Sequence, residues 1–130
     1  MHLARISILL LAAAASRTVW DGVYTTEQAA RGQMVYLEEC ARCHGAELAG
    51  NEAPALTGEE FLKEWNGKSA GDLFEVIRKS MPDDDPGVLS EHDYVDVVAF
   101  VFGANHFPTG DKELEPEIAA LKEIRIEPRR

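Results

Sequence analysis

The stretch Glu39-Cys40-Ala41-Arg42-Cys43-His44-Gly45 constrains this chain more than any other. It holds the only two cysteines, three apart, with a histidine directly after the second. A redox dithiol, a zinc site, a small disulfide loop and a covalent haem anchor all use such a pair. A thioredoxin-like dithiol needs a parallel sheet beneath it, and no alternation of strands and helices is visible here. A structural zinc site normally takes four ligands. Cys40, Cys43 and His44 supply three at most, and His92 and His106 lie far off without pair spacing. A Cys40–Cys43 disulfide closes a very small loop and leaves His44 unexplained. Covalent haem uses all three residues. Two thiols one helical turn apart reach the two vinyl groups on one porphyrin edge. The histidine, four after the first cysteine, falls on the same helix face and presents a ring nitrogen to the iron.

Compartment and charge narrow the setting. Arg5, the apolar run Ile6–Leu11 with its following alanines, and the small residues Ala13–Ser16 read as an export signal over 1–16 that is cleaved. An uncleaved membrane anchor is the competing reading. Export places the mature chain in the periplasm, where c-type haem attachment takes place. The formal net charge is −10 over 130 residues, and removing 1–16 takes away Arg5 and no acid. A binder of nucleic acid or of an anionic membrane needs the opposite sign. The acidity suits either a partner with a basic patch or a merely solvated surface.

The periodicity is helical. Residues 17–24 read as an extended leader, 25–105 as the domain and 106–130 as a tail with a short helix. Thr25 with Gln28, Ser69 with Asp72, and Ser90 with Asp93 have capping-box spacing. Thr57 is expected to cap a short helix holding Phe61, Leu62 and Trp65. Pro82 ends the helix that carries Leu73, Phe74, Val76 and Ile77. Glu115-Pro116 opens a tail helix with Ile118, Leu121 and Ile124 on one side. The expectation is an all-α chain of about four to five helices without a convincing strand.

With "CARCH" after a capped helix and a terminal helix of the type "YVDVVAFVF", the chain resembles the class I monohaem cytochrome c family over Glu27–Asn105. The resemblance implies the cytochrome c fold around one covalently attached haem c. It implies His44 as proximal iron ligand and Met81, followed by Pro82 well downstream, as distal ligand. Met34 is read as core packing instead, and His92 or His106 as weaker ligand candidates. Gly32 and Tyr36 match the first-helix positions that let the terminal helix cross closely, with Tyr94 or Phe100 as the aromatic opposite. Pro54-Ala55-Leu56 matches the loop whose proline carbonyl accepts the second ring N–H of the proximal histidine. Leu56 would then cover the proximal haem face. Phe61, Leu73 and Ile77 are wall candidates. Trp65 either offers its indole N–H to a haem propionate or is a plain core aromatic.

More narrowly, "VWDGVYT", "MPDDDPG" and the tail from "NHFPTG" to "LKEIR" resemble the small cytochromes that accompany quinoprotein dehydrogenases for alcohols or sugars. Histidine and thioether on one iron leave no room for a small-molecule substrate, so the function implied is one-electron transfer rather than catalysis. The partners would be a donor dehydrogenase and a downstream acceptor such as an oxidase. A haem enzyme or gas sensor with an open sixth position is the alternative. The tail would pack back on the domain or meet a partner.

Overall fold

The computed structural model describes residues 17–129, so the export signal read over 1–16 lies outside the described residues. In chain order the elements are β1 (Arg17–Thr18), α1 (Thr26–Glu39), α2 (Ala41–His44), α3 (Gly58–Trp65), α4 (Ala70–Ser80), α5 (Glu91–Ala104), α6 (Ile118–Lys122) and β2 (Ile124–Arg125). Side-chain oxygens set three of the helix starts. Thr25 Oγ1 accepts from the Gln28 amide at 3.1 Å, and Ser90 Oγ from Asp93 at 3.1 Å. Ser69 and Asp72 complete a reciprocal capping box at the head of α4. Thr57 departs from expectation. Its side chain does not cap α3, and the first amide of that helix, on Gly58, donates instead to Asn105 Oδ1 at 3.1 Å.

α1 and α5 form the central crossing. A Cβ built on Gly32 would sit 1.8 Å from the Asp96 carbonyl oxygen and 3.0 Å from Phe100 Cβ. Only glycine lets the two backbones meet there, which outweighs its cost in a helix interior. The aromatic beside the crossing is Phe100, whose ring lies 5.1 Å from that of Tyr36. Tyr94, the other candidate, points its hydroxyl elsewhere. α5 is buried continuously from Tyr94 to Ala99, as expected of a helix with protein on all sides. Met34 corrects the sequence reading: it is 67% exposed on α1 and packs no core.

The leader and tail share this core. β1 pairs in parallel with β2, Arg17 opposite Ile124 and Thr18 opposite Arg125. This is a short strand pair where none was expected. The described residues hold six helices, the additions being single-turn elements such as α2. α6 is only five residues long, and Ile124 falls in β2 rather than on the tail helix. Leu114, Leu121, Ile124 and Ile126 are all buried. Gln28 holds the tail like a backbone amide. Its Nε2 donates to the Leu114 carbonyl at 2.9 Å, and its Oε1 accepts the Leu114 amide at 2.8 Å. Beside it Arg31 spans the buried Asp96 at 3.2 Å and Glu113 at 2.5 Å. The tail therefore packs back on the domain.

Candidate functional site

The cysteine motif begins where α1 stops. Cys40 leaves helical geometry, and α2 makes one tight turn in which the His44 amide donates to the Cys40 carbonyl at 3.1 Å. Gly45, at φ +87°, ends the turn in a conformation that favours glycine. The buried Tyr36 hydroxyl donates to the Gly45 carbonyl at 2.6 Å, so α1 grips the far end of the motif. Neither cysteine is in a disulfide, and both are partly exposed. Burial first, and the charge of Glu39 second, push the Cys40 thiol up to about 11. Among the described residues no group of three or more histidine, cysteine or carboxylate side chains is placed to hold a metal ion.

His44 is buried and fixed. Its Nδ1 lies 2.8 Å from the Pro54 carbonyl oxygen. A carbonyl only accepts, so Nδ1 is the donor, which in the neutral ring leaves the lone pair on Nε2, the tautomer of a metal-ligating imidazole. The loop that supplies Pro54 is sewn to the motif by its backbone. Gly50 donates to the His44 carbonyl at 2.9 Å, Ala53 to Cys43 at 3.0 Å and Leu56 to Leu48 at 2.8 Å. Asn105, just past α5, adds a tie that the sequence reading missed. Its side-chain amide donates to the Leu56 carbonyl at 2.9 Å while its oxygen receives Gly58. A lone asparagine at a helix end signals a cap but not which distant loop it will hold.

Met81 stands at the C-terminus of α4, its amide donating to Ile77 at 2.9 Å. It is half-buried, and Pro82 beside it is buried. The Tyr94 hydroxyl donates to the Met81 carbonyl at 2.8 Å and receives the Leu89 amide at 3.3 Å. The rest of this loop, Asp83–Val88, is exposed. Its Asp84 meets Arg42 of the cysteine motif at 3.0 Å, so motif and methionine loop share one rim. The rival histidines, His92 and His106, are both exposed.

The other haem-contact candidates singled out in the sequence are buried or partly buried. Phe61 is buried, with Trp65 stacked on it at 6.4 Å between ring centroids. Leu56, Trp65 and Ile77 are partly buried against the core, and Leu73 belongs to it. Lys68 covers the Trp65 ring at 5.0 Å. The donor set fits a covalently attached haem: two thiols one turn apart, a buried imidazole whose Nδ1 is held by Pro54, and a methionine on a loop tied to the motif through Arg42 and Asp84.

A family model described as cytochrome c oxidase, cbb3-type, subunit III matches residues 27–101, more than half of the chain. The solved sulfane dehydrogenase SoxCD from Paracoccus pantotrophus is similar in structure, with a TM-score of 0.56 and 21% identity. That match covers 82% of this chain and 61% of the other, so this chain spans about three fifths of its length. No curated protein matches the sequence.

Proposed function

The chain belongs to the family described as cytochrome c oxidase, cbb3-type, subunit III, and on that premise we propose that it works as an exported one-electron carrier with a single haem, bonded to Cys40 and Cys43 and ligated by His44 and Met81. The fold is the all-α cytochrome c fold, and the protein is a monohaem c-type cytochrome, an electron carrier. The observation that carries the finer reading is the 2.8 Å contact of His44 Nδ1 with the Pro54 carbonyl. It commits the imidazole to offering Nε2.

When bound, the haem supplies a one-electron iron couple. His44, braced by Pro54, gives a strong nitrogen donor. Met81 gives a thioether, which favours the reduced iron and raises the potential. Leu56, Phe61 and Trp65 are read as apolar cover, which disfavours the extra positive charge of the oxidised state. If His44 and Met81 both ligate the iron, no position would be left on it for a substrate.

The proposed donor is a dehydrogenase of the quinoprotein kind, and the acceptor a downstream redox protein such as an oxidase. Asp83, Asp84 and Asp85 are exposed on the rim and suit a partner with a basic docking face. The periplasm is the proposed location, on the strength of the export signal.

The test is a reduced-minus-oxidised spectrum of protein matured with periplasmic haem attachment, followed by carbon monoxide on the reduced form. A sharp low-spin spectrum that carbon monoxide leaves unchanged is expected. Ready binding of carbon monoxide would replace the carrier by an enzyme or sensor with an open position.

A further inference from the structure

Tyr94 is almost fully buried, at 1% exposure, and its single hydroxyl serves two ends of one loop. It donates to the Met81 carbonyl at 2.8 Å and accepts the Leu89 amide at 3.3 Å. We propose that Tyr94 is the positioning residue for Met81, holding the methionine loop closed over the site. This rests on the reading of Met81 as iron ligand.

Between the buried Pro82 and the core-packed Leu89, the loop has few other ties. Its internal bonds run from Asp85 to Pro82 at 3.0 Å and from Gly87 to Met81 at 3.4 Å. Asp83–Val88 is exposed throughout. The Arg42–Asp84 pair reaches it from outside, but those side chains are 77% and 65% exposed, and such pairs contribute little. Tyr94 is different because its ring sits on a rigid part of the fold. It lies in the first turns of α5, which Ser90 caps and which meets α1 backbone to backbone at Gly32. The phenol thus transmits the position of the α1–α5 crossing to the backbone of residue 81. Without the hydroxyl, the Leu89 amide loses its partner and the Met81 carbonyl keeps only the longer 3.4 Å bond from Gly87, so the loop-open state gains.

The experiment compares four haem-loaded proteins: wild type, Tyr94→Phe, Met81→Ala and Tyr24→Phe. Tyr94→Phe removes one oxygen and keeps the buried ring. Tyr24→Phe is the control, because its hydroxyl donates to the Phe107 carbonyl at 2.5 Å in the tail, a comparable bond in another part of the fold. The probe is imidazole added to the oxidised protein, which binds only when the methionine has left. Its apparent affinity is scaled by the open fraction. Tyr94→Phe is expected to bind imidazole about tenfold more tightly than wild type and to weaken the methionine–iron charge-transfer absorbance. Tyr24→Phe should lose thermal stability yet bind imidazole as wild type does. Equal shifts in the two phenylalanine variants, or no shift in Tyr94→Phe, overturn the positioning role while leaving Met81 as ligand. A Met81→Ala protein indistinguishable from wild type removes the ligand reading, and the positioning role falls with it.

Discussion

Replacing Gly32 by alanine tests the crossing on which the site is built. The added Cβ would lie 1.8 Å from the Asp96 oxygen and 2.4 Å from its carbon, where real Cβ contacts stay above 3.0 Å. The obstacle is backbone, so no rotamer change relieves it, and α1 and α5 must part by roughly 1.2 Å. Overpacking of this kind costs about 1–3 kcal/mol. The parting also stretches the 3.2 Å bond between Gln28 and Asp96, worth about 1 kcal/mol. It loosens the Tyr36–Phe100 ring pair, worth about another 1 kcal/mol. Alanine returns about 1 kcal/mol through its better helix propensity. The net loss is about 2–4 kcal/mol, which lowers the melting temperature by roughly 8–16 °C for a domain of this size. Far-ultraviolet circular dichroism, at fixed oxidation state, reads it. Gln33→Ala, one residue along on the exposed face, is the control and should stay within about 0.5 kcal/mol. A Gly32→Ala protein as stable as that control would refute the close crossing.

Arg31→Leu leaves the Asp96 carboxylate, at 5% exposure, with Gln28 as its remaining side-chain donor. It should cost about 2 kcal/mol, discounted for the half-exposed arginine, read as a lower urea midpoint with faster exchange at the Leu114 amide. An unchanged midpoint would count against the tail clamp. Ser69→Ala breaks the α4 capping box and should cost about 1 kcal/mol in the same assay. Asp72 is held below its ordinary pKa chiefly by the backbone amide of Ser69. Its contribution is therefore present above the unfolded value, about 3.9, and is lost as pH falls through the lower folded value. Asp72→Asn should flatten that part of the acid limb in urea midpoints taken across it; an unaltered limb would refute the assignment. Electron transfer to a basic redox protein should slow as salt rises, because steering by a net charge of −10 is screened. A flat dependence would show that the acidity is only a solvated surface.

Local chemistry was the most readable part of the sequence. The cysteine motif and the caps at Thr25, Ser69 and Ser90 lie within a turn of their partners, where spacing restricts the geometry, whereas the Pro54 carbonyl was legible only through the resemblance to a family. Gly32 was legible because a glycine inside a helix needs a reason, and a close helix is the usual one. Met34 was misread because its helical period places it beside core positions while its face turns to water. Tyr94 and Phe100 sit nearly two turns apart on one helix. Either suited the crossing, and only the fold shows that Tyr94 reaches the Met81 loop. The β1–β2 pair, the Arg31–Glu113 contact and the Asn105 tie join residues from 47 to 107 positions apart. Two-residue strands carry no alternation to read, and a charge or amide on the surface does not name its distant partner.

The central claim is that Cys40 and Cys43 are the two points of attachment of one haem. Intact mass spectrometry of the mature protein, made with periplasmic haem attachment and treated with iodoacetamide after unfolding, tests it most directly. The account predicts the chain plus one haem with neither cysteine alkylated. A mass equal to the bare chain with two alkylated thiols would contradict it.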